Sequence, residues 1–122
     1  MKKGRKKSGG KYKKSRKKKK YEIRGQNVLV RLGEEKKKEK RIRGGNKKIF
    51  SLKARFINVH LPENRSAKKV EIKNVLETPS KKFLARQNIL VKGAIVETEL
   101  GKVKITNRPS QEGVVNGILL EE

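Results

Sequence analysis

Two carboxylates, Glu97 and Glu99, stand two residues apart in a β-patterned stretch, where a strand presents both on one face for acid–base or metal chemistry. If the chain turns at Leu100–Gly101, however, Glu97 faces Lys104 and Glu99 faces Lys102, while Thr98 meets Val103 and Val96 meets Ile105. One face is then charge-paired and the other mostly apolar, as a hairpin with one buried side requires. The carboxylates have a structural role, and no Asp occurs to supplement them. His60 is the one histidine, with no Cys, Asp or second His to complete a metal set or a triad. Such a residue at the end of an apolar strand is ordinarily a surface or packing side chain. The hydroxyls of Ser8, Ser15, Ser51, Ser66, Ser80 and Ser110 include none in a G-x-S-x-G elbow. No Walker loop or dinucleotide-type glycine pattern occurs. The expectation is a protein that is not an enzyme, with no cofactor, no metal and no small-molecule substrate.

Phosphate chemistry is better served. Arg43-Gly44-Gly45-Asn46 is followed by Lys47 and Lys48. Two glycines allow positive φ and close approach of the main chain to a ligand, so their amides can bond phosphate oxygens while the flanking cations neutralise charge. An ordinary hairpin turn is compatible with that role. The N-terminal run supplies Lys2, Lys3, Arg5, Lys6, Lys7, Lys11, Lys13, Lys14, Arg16, Lys17, Lys18, Lys19 and Lys20, with Gly9 and Gly10 between them. Further along, Lys81, Lys82 and Arg86 form a third basic group, Lys82 and Arg86 falling four apart on one face of an expected short helix.

These groups sit in a chain of 122 residues with 36 Lys and Arg, 12 acidic residues and a formal charge of +24. Such a charge implies self-repulsion that a polyanionic partner relieves. It is graded: net +13 over residues 1–24, +10 over 25–75 and +1 over 76–122. The leader holds Tyr12 and Tyr21 but almost no aliphatic residue before Ile23. It buries too little to offset an ordering cost of about 1–2 kcal/mol per residue, so residues 1–25 are expected to be a basic extension, disordered without a partner. Absence of Cys fits a reducing compartment. No apolar run approaches the ~20 residues needed to span a bilayer, and no apolar segment follows the basic start as in a secretory signal. The chain reads as cytoplasmic.

From residue 26 the pattern changes to short runs rich in β-branched residues, separated by Gly, Asn and Pro clusters. Val28 and Val30, Ile49 to Val59, Val70 to Val75, Ile89 to Val91, Ala94 to Val96, Val103 to Ile105 and Val114 to Leu120 are those runs. That is the pattern of an all-β barrel or sandwich, here residues 26–122. Thr78-Pro79-Ser80 offers an N-cap with Pro at the first helical position, which predicts a short helix from about Pro79 to Gln87.

Common RNA modules do not fit. No two of the 11 glycines are three apart, so the GXXG loop of a KH domain is missing, and the aromatic pair of an RRM is missing too. At 4% aromatic residues a base-stacking platform is disfavoured. What remains is recognition of folded RNA by charge and shape. A nucleoid-type DNA-compacting protein is the alternative of the same charge. A membrane-surface protein would need an amphipathic helix that the leader does not offer, and an RNA-modifying enzyme would need catalytic machinery.

The leader Ser8-Gly9-Gly10 with its basic residues, Lys20-Tyr21-Glu22-Ile23, the RGGN stretch at 43–46 and the block from Arg86 to Glu122 together resemble the archaeal form of the small-subunit ribosomal protein family eight, eukaryotic type. Family members usually place Gly before Arg where this chain has Arg24-Gly25, and prolines where it has Gln26 and Asn27. The chain also lacks the long insertion of eukaryotic members. The resemblance implies a small all-β barrel with a basic extension that binds small-subunit ribosomal RNA beside neighbouring ribosomal proteins, without catalytic activity.

Overall fold

Alternation at period two decides which face of each strand turns inward. In the computed structural model, which describes residues 4–13, 16–62 and 66–120, β1 is Val30–Leu32, β2 Lys36–Arg41, β3 Lys47–Ala54 and β4 Phe56–Leu61. The long β5 (Ser66–Glu77) leads to α1 (Lys82–Arg86), followed by β6 (Ile89–Leu90), β7 (Ile95–Thr98) and β8 (Gly101–Ile105), then α2 (Pro109–Glu112) and β9 (Asn116–Leu119). Strands β4, β5, β7, β8 and β9 form a closed barrel. Ile57 and Val59 of β4, Val96 of β7, and Val103 and Ile105 of β8 fill it, while Asn58, His60, Glu97, Lys102 and Lys104 alternate outward. The expected all-β barrel with a short helix is what the chain forms.

Closure depends on a residue with no side chain. β9 pairs antiparallel with β8 and parallel with β4, and Gly117 lies in this seam. A Cβ there would stand 2.5 Å from Val103 Cγ1 and 2.9 Å from both Ile57 Cδ1 and the Lys104 carbonyl oxygen. Nothing larger than glycine lets the last strand seat.

A second sheet, ordered β2-β3-β1-β6, adjoins the barrel. Val30, Ala54 and Leu90 tie its inner end to the shared core. Its outer part is the β2–β3 hairpin, every residue of β2 being exposed. The hairpin is braced by α2, which opens with Pro109 at its first turn and ends at Gly113 in the left-handed region (φ 71°). A Cβ on Gly113 would meet the Ile49 carbonyl oxygen at 3.2 Å, so backbone lies against backbone there.

Two expectations are corrected. In the β7–β8 hairpin, Glu97 stands opposite Lys102, Val96 opposite Val103 and Thr98 opposite Gly101. The turn is therefore Glu99–Leu100, not Leu100–Gly101, and Glu99 has no strand partner. Gly101 adopts φ 122°, which glycine alone tolerates readily, and Thr98 Oγ1 donates to the Gly101 carbonyl at 2.9 Å. The register has moved by two residues, so each side chain keeps its face. The helix is also shorter than Pro79–Gln87. Lys81 N–H donates to the Thr78 carbonyl at 3.2 Å, closing a turn with Pro79 in its second position. Lys81 is extended (φ −156°, ψ 108°) and ends that turn before α1 begins. Thr78 is fully buried and caps nothing.

Candidate nucleic-acid interface

Twenty-four positions were expected to meet RNA, in three groups. Lys2, Lys3 and Lys14 lie outside the described residues. The remaining leader cations are exposed, and two local devices shape them. Lys6 N–H donates to the Gly10 carbonyl and Gly9 N–H to the Lys6 carbonyl, both at 2.9 Å, with Gly9 at φ 78°. Arg5 bridges to Lys11, and its Nη1 donates to the Gly9 carbonyl at 2.9 Å. Ser8-Gly9-Gly10 is thus the tip of a miniature turn flanked by Lys6, Lys7 and Lys11. Further on, Arg16 forks onto Glu22, Nη2 to Oε1 at 2.6 Å and Nη1 to Oε2 at 3.1 Å, and Lys19 N–H donates to Oε2 at 3.0 Å. The Arg16 fork, with the Lys19 amide behind it, holds the Glu22 carboxyl below its usual range. Arg16 is therefore already occupied, whereas Lys17, Lys18, Lys19 and Lys20 extend into solvent.

The second group is the tip of the β2–β3 hairpin. Ile42 N–H donates to the Asn46 carbonyl at 2.7 Å and closes the loop, within which Gly44 and Gly45 take φ 79° and 80°. Both glycines use the left-handed region that the sequence allowed, and apart from its chain neighbours no heavy atom lies within 4 Å of a Cβ built on Gly45. Its surroundings are open to an incoming ligand.

Down the hairpin stems lies a feature that the sequence reading missed. Lys40 stands directly opposite Lys48, and Arg41 opposite Lys47. Like charges in cross-strand pairs destabilise a ribbon. The ion pair Lys47 Nζ–Glu39 Oε2 at 3.0 Å, between exposed side chains, offsets little of it. Lys36, Lys37, Lys38, Lys40 and Arg41 therefore join Arg43, Lys47 and Lys48 in one cationic ribbon. The signal was present in the run KKKEKRIR at 36–43, but a charge run shows its alignment only once its strand partner is known. At the hairpin base, a cleft of about 170 Å³ opens between ribbon and barrel, lined by Lys37, Lys53 and Lys69 and by Glu35, whose Oε2 lies 3.8 Å from Lys37 Nζ.

The third group, Lys81, Lys82 and Arg86, is exposed on and before α1. That helix packs on β5 and β6. β2 and β6 are the opposite edges of the four-stranded sheet, so the helix packs beside the edge away from β2. The structure does not gather these groups into one pocket. His60 and Glu97 face solvent on separate strands. Among the described residues, no three metal-ligating side chains converge, and no helix is long and apolar enough to cross a membrane.

A closed barrel with an adjoining sheet whose hairpin sets cation opposite cation defines a small β-barrel scaffold with a strongly cationic hairpin. Residues 1–120 match the family model described as ribosomal protein S8e. The chain belongs to that family, one of ribosomal structural proteins. It is 50% identical over 107 residues to the small ribosomal subunit protein eS8 of Nanoarchaeum equitans, covering 88% of this chain and 84% of that protein. Against the eS8 proteins of Sulfolobus acidocaldarius and Staphylothermus marinus it is 44% and 48% identical over 119 residues, 97% of this chain and 93% of each relative. The expected family, in its archaeal form, is the one found.

Proposed function

We propose that this chain is a structural constituent of the small ribosomal subunit in the cytoplasm, and that it binds and stabilises folded ribosomal RNA beside neighbouring ribosomal proteins. The observation that carries this reading is the β2–β3 ribbon, where Lys40 opposes Lys48 and Arg41 opposes Lys47 around a glycine tip. Such an arrangement is unfavourable alone and becomes favourable when phosphates lie along it. The leader engages a second stretch of backbone. Among its described residues, its hydrogen bonds join positions no more than six apart, so its course over the barrel is left for RNA to decide. Phosphate contact neutralises strands that would otherwise repel one another, with little direct reading of bases.

The test is competition. The full chain is bound to the small-subunit ribosomal RNA of S. acidocaldarius and challenged with duplex DNA at equal phosphate concentration, at several salt concentrations. Folded RNA is expected to retain the protein. Displacement by duplex DNA at parity identifies a DNA-compacting protein instead.

A further inference from the structure

α1 leaves one aromatic ring in water among cations. Leu84 and Ala85 are half-buried, Ala85 against the core, whereas Phe83 is 74% exposed. The Arg86 guanidinium lies 5.9 Å from the Phe83 ring centroid, within cation–π range. From Thr78 to Gln87 there is no acidic residue, and Lys81, Lys82 and Arg86 are all exposed. Beside Arg86 runs a shallow groove of about 260 Å³, lined by Leu76, Ala85 and Asn88. Its wall includes Asn88 at φ 51°, whose N–H donates to the Ala85 carbonyl and whose carbonyl accepts from Leu32 N–H, both at 2.9 Å.

We infer that Phe83 is a stacking site for a single unpaired RNA base, whose flanking phosphates are held by Lys81, Lys82 and Arg86. Folded RNA extrudes such bases from loops and bulges, and an aromatic face takes any of them. A nucleotide matches both halves of the site, the ring for its base and the cations for its phosphates. An apolar protein surface matches the ring and leaves three cations beside it without anions. The chain has too few aromatics for a continuous platform, so this is one anchoring point on a surface that otherwise reads backbone.

The inference rests on the RNA-binding reading, and the experiment separates the two. The chain contains no Trp, so Phe83→Trp introduces a single reporter whose emission is quenched by a stacked base. Phe83→Leu keeps an apolar side chain but removes the ring. Wild type and both variants are titrated with the small-subunit ribosomal RNA of S. acidocaldarius. The expected result is quenching and near-wild-type affinity for Phe83→Trp, with affinity reduced roughly 5- to 150-fold for Phe83→Leu. Unchanged affinity of Phe83→Leu beside a tightly bound wild type overturns the stacking site and leaves RNA binding intact. Loss of affinity without quenching overturns it too. Failure of the wild type to prefer this RNA over duplex DNA removes both readings.

Discussion

Two local geometries in this chain turn on single residues. At the hairpin tip, Gly44 and Gly45 hold φ near +80°, a conformation that costs a β-branched residue roughly 1–2 kcal/mol. Replacing both with Val is expected to weaken RNA binding beyond any loss of stability. Gly45→Asn refines the test, because Asn tolerates the left-handed region and its side chain fills the open space over the backbone. If phosphate approaches that backbone, Gly45→Asn melts like wild type and binds less tightly; unchanged affinity at matched folding shows that the glycines serve the turn alone. In the leader, the forked Arg16 lowers the Glu22 carboxyl. A depressed folded value stabilises the turn above the ordinary carboxylate range, and that contribution is lost as pH falls through the folded value. A carbon-detected NMR titration is expected to place the Glu22 midpoint below the reference 4.5, and Arg16→Ala to bring it back up. A midpoint insensitive to Arg16→Ala would remove the fork as its cause.

At the scale of the element, the β2–β3 ribbon carries opposed demands. Stability favours alternating signs across the pair, and polyanion binding favours one sign throughout. Lys40→Glu places opposite charges at the Lys40–Lys48 position. It should stabilise the free protein slightly, by about 0.2–1 kcal/mol, and weaken RNA binding at the same time. Thermal melting and an anisotropy titration on one preparation measure both signs. A variant that binds as well as wild type would show that the ribbon does not face RNA. The ribbon also marks where reading the sequence fell short. RGGN was legible as a turn with positive φ because glycine's freedom is a property of the residue. The stacking of Lys40 on Lys48 was not, since that register depends on the length and closure of the loop between the two strands.

For the molecule as a whole, the division between leader and barrel predicts two separable binding terms. Removing residues 1–24 deletes a net charge of +13 from a total of +24. The buried core begins at Val30, so the truncated chain should fold. If the leader touches about eight phosphates, it accounts for roughly 6 to 7 units of the slope of log affinity against log salt. The truncated chain should bind weakly with a much shallower slope; equal slopes would show that the leader holds no phosphates, and failure to fold would make it part of the barrel. In the intact chain without RNA, rapid tryptic cleavage across Lys11–Lys20 is the expected sign of a leader whose local turns are not packed on the barrel.

The sequence by itself determined the properties that residue type and short-range pattern govern. Charge pointed to a polyanionic partner, and β-branched runs at period two set the all-β class. Alternation set the inward face of β7 and β8 even though the pairing expected for them was two residues out, because a slip by two preserves every side chain's side. Tertiary structure alone decided the rest. It drew Thr78 into the core and so replaced a helix cap with a turn. It closed the barrel at Gly117, where Val103 and Ile57 leave no room for a Cβ. It set the cations of the ribbon on β2 and β3 apart from those of α1, which packs on β5 and β6. Those outcomes depend on contacts between residues far apart in the chain, whose geometry exists only after the strands have paired.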